Sequence, residues 1–183
     1  MLQLGVELFS ERSYEDVTTD DIALAAGVSK GLLYHYFANK RGYYVATIRE
    51  LGRRLVTATD LDDSLPFSES IRDALRNFVV FVRDNASFYR ALMRGGVGQD
   101  QEIQRIIEGV RHKVIDRVLS RAGIVEPPTR QRIAVYGWVG FAEAASLDWL
   151  DHKCDLPADE LVELLLQNLV ATMTTTVPVQ ERH

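Results

Sequence analysis

Thr18-Thr19-Asp20-Asp21-Ile22-Ala23-Leu24-Ala25-Ala26-Gly27-Val28-Ser29-Lys30-Gly31-Leu32-Leu33-Tyr34-His35-Tyr36-Phe37 decides the fold of this 183-residue chain. Thr18 or Thr19 caps a helix running to about Ala26, and Asp20 and Asp21 suit the positive end of its dipole. Gly27 ends that helix, because a left-handed backbone costs glycine nothing. Ser29 caps a second short helix to about Phe37. Small alanines allow close packing, and Ile22, Ala26 and Val28 supply an inner face. Two short helices around a glycine-containing turn form a helix–turn–helix.

At 100° per residue, with Leu33 set towards the core, Ser29, Tyr36 and Phe37 fall within about 60° of it. Gly31 and His35 lie about 160° away, on the opposite face. Lys30 and Tyr34 occupy one flank and Leu32 the other. The outward side of this helix is thus Lys, Gly, Leu, Tyr and His, with no acid. Its first backbone N–H groups also point outward, as a phosphate requires, and a major groove admits such a helix.

Charge agrees locally rather than globally. The net charge is −5, yet residues 28–54 hold Lys30, Lys40, Arg41, Arg49, Arg53 and Arg54 against Glu50 alone. Phosphate attraction acts over roughly 8 Å at physiological salt, so a local patch matters more than the total. Arg49, Arg53 and Arg54 are expected mainly as a solvated face of the fourth helix.

Outward from the motif the signals are nearly all helical, and period-2 alternation is absent. The expected architecture is all-α, with about nine helices. The first covers residues 1–12, with Leu4, Leu8 and Phe9 on one side. Asn39 caps a fourth, from Lys40 to about Thr59. A polar, Pro-containing link, Asp60–Pro66, separates the modules. Further helices are expected from Ser68, over Ala86–Met93, Gln101–Arg121, Thr129–Asp151 and Ala158–Thr176. Pro178 closes the last, and the final five residues should fray.

The pattern Leu8-Phe9 … Thr18-Thr19-x-Asp21-Ile22-Ala23-x-x-Ala26-Gly27-Val28-Ser29-x-Gly31-x-Leu33-Tyr34-x-Tyr36-Phe37-x-x-Lys40 closely resembles the DNA-binding module of TetR-type transcriptional regulators. The resemblance is specific over about residues 4–45. It implies a helix–turn–helix domain at 1–45 and a ligand-binding and dimerisation domain at 46–183. It also implies a homodimer on double-stranded DNA with a near-palindromic operator, usually a repressor released by a small molecule. By position, Thr18 and Thr19 match the family's Thr pair at helix two. Ser29, Lys30 and Gly31 match the start of the recognition helix. Tyr34, His35 and Lys40 match positions that touch phosphate or base edges. Leu32, an exposed apolar residue by the wheel, either touches a thymine methyl or packs against a neighbouring helix. The family carries a basic arm before its first helix, whereas Met1 already falls inside that helix. The expectation is therefore a start further upstream, or loss of the arm's phosphate contacts.

The remainder is rich in aromatics on apolar stripes. Phe78, Phe81, Phe88, Tyr89, Trp138 and Phe141 are expected as core that also leaves a cavity for an apolar or aromatic effector. Glu143, inside an apolar run, needs a partner: a second copy of the chain, an Arg such as Arg72 or Arg90, or a ligand's polar group. The last two helices carry the dimerisation candidates Leu147, Leu150, Leu161, Leu165 and Leu169. Ile133, Tyr136 and Phe141 flank these on one helix, and Leu164 and Val170 on the other.

Competing chemistry finds little support. Gly95-Gly96-Val97-Gly98-Gln99 follows a helix and lacks the Lys-Ser/Thr of a P-loop, so it is expected to be a turn. His35, His112, His152 and His183 are scattered, so no metal or other cofactor is expected. A lone Cys154 excludes an internal disulfide and fits the reducing cytoplasm. No apolar stretch spans a bilayer, and the start has no basic signal-peptide region. No acid/base pair converges, so an enzyme is not expected. Two other classes stay open: a small all-α enzyme, which would return a soaked ligand chemically changed, and an interaction module that has lost DNA binding. Alanine at Lys30, Tyr34 and Lys40 would leave that module's activity untouched.

Overall fold

The computed structural model describes residues 1–94 and 100–176. Among them are nine helices and no strand: α1 (Leu2–Glu11), α2 (Thr19–Ala26), α3 (Lys30–Tyr36), α4 (Lys40–Ala58), α5 (Phe67–Asp84), α6 (Ala86–Arg94), α7 (Gln101–Arg121), α8 (Thr129–Asp151) and α9 (Ala158–Thr176). The glycine loop at 95–99, Pro178 and His183 lie outside the described residues. No described helix is long and apolar enough to cross a membrane.

Two compact units emerge: Met1–Leu55 with Asp84–Val110, and Val56–Arg83 with Arg111–His183. The N-terminal unit therefore includes α6 and the first half of α7. Its core is aromatic. Phe9 meets Tyr44 edge-on at 4.6 Å between ring centroids and lies 6.4 Å from Phe88. Phe37 meets Tyr43 edge-on at 5.0 Å. Burial pushes the phenols of Tyr43 and Tyr44 up to about 12, because a phenolate there would lose its water. α1 lies so close to α4 that a Cβ on Gly5 would stand 2.5 Å from Thr47 Oγ1. Phe88 is fully buried against Phe9 and Tyr44, and Tyr89 is buried in the same unit. This corrects their expected place with the aromatics of the effector module. They sit on α6, whose apolar side closes the N-terminal core against α1.

In the C-terminal unit α8 packs along α9. Val135, Trp138, Val139, Ala142, Ser146, Trp149 and Leu150 form the buried side of α8, at spacings of three and four. Leu161, Val162, Leu165, Leu166 and Leu169 answer from α9. The Trp138 indole N–H donates to Leu165 O at 3.1 Å across this seam. At the corner, Lys153 and Cys154 hold φ of 59° and 58° without a glycine. Cys154 N–H closes that turn on Trp149 O at 2.8 Å, and the Trp149 indole donates to Leu156 O at 2.8 Å.

The dimerisation candidates need correction here. Leu150 and Leu161 are 2% exposed, and Leu165 and Leu169 are 0% exposed, within the single chain. They fill the α8–α9 seam and have no side left for a partner; Leu147 is half-buried. The outward apolar residues of these helices are Ile133, Tyr136, Leu164 and Val170. Glu143 is also reassigned. Arg111 on α7 grips it with two hydrogen bonds, at 2.9 and 2.7 Å, while Arg72 pairs with Glu163 at 2.6 Å. The acids of the 60–66 link are likewise used: Arg117 reaches Asp60 at 3.2 Å and Val56 O, and Arg121 reaches Asp63 at 3.4 Å and Leu65 O.

Candidate nucleic-acid interface

The helix–turn–helix is assembled by local hydrogen bonds that the sequence order dictates. Thr18 is the cap of α2. Its Oγ1 accepts from Asp21 N–H at 3.1 Å, and the Asp21 carboxylate accepts from Thr18 N–H at 2.7 Å, a reciprocal box. Arg12 braces the same carboxylate at 3.1 Å. Gly27 takes φ of 63° and turns the chain. Ser29 Oγ then accepts from Leu32 N–H at 3.2 Å and starts α3. Asn39 Oδ1 accepts from Gly42 N–H at 2.8 Å at the head of α4.

Arg12 and Thr18 hold the Asp21 carboxyl well below the usual carboxylate range. Folding thus depresses this pKa, and the unfolded chain binds the proton first as acid is added. The stabilisation is complete above about pH 4 and fades as pH falls further. Asp21→Ala is expected to melt earlier than the wild type at neutral pH. The two melting temperatures should converge on acidification, measured by circular dichroism.

α3 buries Leu33 and little else. Lys30, Gly31, Leu32, Tyr34 and His35 are all exposed, with Leu32 and Tyr34 at 42% and 44%. Tyr36, expected to face the core, is 64% exposed. The helix has only seven residues and ends there; Phe37 leaves it with an extended backbone and supplies the inward ring instead. Ser29, also expected to face inward, is exposed and acts through its cap.

The outward residues carry contacts that a wheel of α3 alone does not reveal. Lys30 Nζ stands 2.9 Å from Asp20 of α2, which raises the lysine pKa through that hydrogen bond. The surface around α3 is therefore not free of acid. The Tyr34 hydroxyl donates to Thr19 Oγ1 at 3.4 Å. Two contacts, Lys30 to Asp20 and Tyr34 to Thr19, thus tie α3 to the first turn of α2. Lys40 is tied elsewhere: its Nζ donates to Tyr14 O at 2.9 Å and lies 4.4 Å from the Tyr14 ring centroid. Arg41 forks onto Asp100 at 2.8 and 2.9 Å, Arg49 meets Glu102 at 3.3 Å, and Arg53 and Arg54 share Glu50. The basic count of residues 28–54 is thus largely balanced in space. Sequence separation concealed this, because Asp100 and Glu102 lie far along the chain.

Residues 1–47 match the family model described as bacterial regulatory proteins, tetR family, and residues 67–172 match the tetracyclin repressor-like C-terminal domain. The chain belongs to the TetR family. It is a DNA-binding transcriptional regulator with an N-terminal helix–turn–helix and a C-terminal helical domain. A TetR-family regulator from Streptomyces coelicolor superposes with a TM-score of 0.87 at 30% identity, over 96% of this chain and 79% of that one. The HTH-type transcriptional activator FasR of Mycolicibacterium smegmatis is 26% identical over 91% of this chain and 78% of its own length. FadR from Bacillus subtilis, solved in complex with stearoyl-CoA, shares the fold at a TM-score of 0.72 and 16% identity, over 93% of this chain and 96% of that one.

Proposed function

We propose that this TetR-family regulator binds a near-palindromic operator as a homodimer and releases it when an apolar or aromatic effector enters the C-terminal unit, acting as a repressor. The observation that carries the reading is the exposed patch of Lys30, Leu32, Tyr34 and His35, seated beside the capped first turn of α2. Thr18, Thr19, Ser29, Lys30, Gly31, Tyr34 and His35 take phosphate or base edges, Leu32 a thymine methyl, and Lys40 a flanking phosphate. Lys40 also ties down the carbonyls before α2.

The effector class rests on Phe78, Phe81 and Phe141, half-buried aromatics of the C-terminal unit. That a fold neighbour was solved with stearoyl-CoA makes an acyl-CoA the first probe. Trp138, packed in the α8–α9 seam, is a weaker lining candidate, and Glu143 is occupied by Arg111. The effector acts only if it binds the DNA-incompetent state more tightly.

Dimerisation is assigned to the outward side of α8 and α9. Ile133, Tyr136 and Leu164 are large and exposed, and the Cβ positions of Gly137 and Gly140 meet nothing. An apolar helix face of this kind is buried by a second copy across a two-fold axis. Ile133→Glu is expected to give a folded monomer in ultracentrifugation. It should weaken operator binding by about 10²-fold or more, because the second half-site no longer benefits from linkage. Retained dimer would move the interface elsewhere.

Selection of bound duplexes from a random pool tests the whole reading. Half-sites about 34–36 Å apart, or a multiple of that, are expected, and stearoyl-CoA should release them. A reporter behind the selected site should rise with effector; a fall would make the protein an activator. Failure to enrich any palindrome would overturn the proposal.

A further inference from the structure

The two acids at the head of α2 differ in employment. Asp21 is committed to the capping box and to Arg12. Asp20 makes no capping bond, and among the described residues its side chain has one hydrogen-bond partner, Lys30, at 3.0 Å. Its side chain is 72% exposed, and that of Lys30 is 48% exposed. An ion pair this open adds little to the fold, and helix initiation is already secured by its neighbour. The pair stands next to Thr19 and the Tyr34 hydroxyl, within the patch assigned to DNA.

We infer that Asp20 is a charge brake on DNA binding: its carboxylate holds Lys30 in the free protein and stays beside any phosphate that Lys30 takes up. The inference rests on the DNA-binding reading above. A phosphate reaching Lys30 must displace the carboxylate, and the displaced charge remains on the first turn of α2, beside the patch assigned to DNA. The lysine then contributes less to counterion release than an unpaired one. Since phosphate contact is sequence-independent, the brake acts on every duplex alike. It keeps background association low while base contacts through Leu32 and His35 stay untouched, so the protein occupies fewer wrong sites at a given salt concentration.

The opposite role is a staple, in which Asp20 orients Lys30 for the phosphate. The two roles predict opposite signs. Asp20→Asn removes the charge and keeps the shape, and Asp20→Ser is a second variant that also suits a helix's first turn. Binding of a fluorescent random-sequence duplex is titrated by anisotropy over a salt series, with Asp155→Asn in the C-terminal unit as the control for net charge. Circular dichroism checks the fold. The expected result is binding about 3–10-fold tighter for both Asp20 variants at low salt. The log–log salt slope should steepen by about one for each protomer engaged. The control should stay within about twofold of the wild type. Unchanged affinity and slope would overturn the inference, and weaker binding would establish the staple. If the wild type itself binds no duplex at low salt, the DNA-binding reading fails with it, an outcome recognisable before any variant is compared.

Discussion

Leu165→Ala lowers the stability of the C-terminal unit by about 3–5 kcal/mol, the upper part of the range for a buried leucine. Leu165 is 0% exposed. Its backbone carbonyl accepts the Trp138 indole N–H at 3.1 Å, so helix α9 cannot slide inward to close the cavity without straining that bond. In a chain of this size the melting temperature should drop by roughly 6–20 °C, measured by thermal unfolding of the regulator. The same substitution separates the two accounts of α9. A leucine at the dimer interface would, when truncated, shift the monomer–dimer equilibrium and make the melting temperature depend strongly on protein concentration. A leucine in the seam of one chain lowers the melting temperature at every concentration. Ile133→Glu, on the 58%-exposed residue of α8, should do the reverse. A surface change of this kind shifts the intrinsic fold by about 0.5 kcal/mol at most, while it places a charge on the apolar face assigned to the partner.

Why that distinction was hidden in the sequence is a matter of geometry. Helix α8 carries Trp138, Val139 and Leu150 on one side and Ile133 and Tyr136 on another. A helix with apolar residues on two sides announces burial but not which side meets its own chain. Helix α9 has the same ambiguity, with Leu161, Leu165 and Leu169 on one row and Leu164 and Val170 beside it. By contrast the ends of α7, α8 and α9 were legible to the residue, because caps, prolines and first-turn acids are local signals. The α2–turn–α3 motif was legible for the same reason, through Thr18, Gly27 and Ser29. What periodicity cannot supply is a pairing between distant residues. The Arg111 guanidinium on Glu143, 32 positions apart, and Arg41 on Asp100, 59 apart, depend on how whole helices meet. Phe88 was misplaced for the same reason. It follows α5 in the chain, yet α6 packs with α1 in the N-terminal unit. Lys153 and Cys154 turn left-handed without a glycine to mark the place, and the Trp149 indole bond to Leu156 O spans that turn.

Lys30→Ala combined with Tyr34→Ala should weaken binding of the selected operator by about 10²–10³-fold near physiological salt, since a dimer loses both contacts at both half-sites. Each is a hydrogen bond to a charged phosphate, worth on the order of 1 kcal/mol when exposed. The lysine and the tyrosine separate by their salt behaviour. Loss of the Lys30 charge, already partly offset by Asp20, makes the log–log slope shallower by less than one for each half-site, whereas loss of the neutral Tyr34 hydroxyl leaves it unchanged. Leu32→Ala provides the contrast within the same helix. Leu32 is 42% exposed, carries no charge and has only a base edge to offer contact. Its truncation should relax the preference for one base pair and keep the salt slope of the wild type. The interaction-module alternative predicts none of these differences, because its partner would not read phosphates. Equal binding by the wild type and the Lys30/Tyr34 double variant, with both verified as dimers, would remove α3 from the DNA interface. A uniform loss with no change in slope would instead mean that Lys30 acts only through Asp20 of the adjoining helix, holding α2 and α3 together at 2.9 Å.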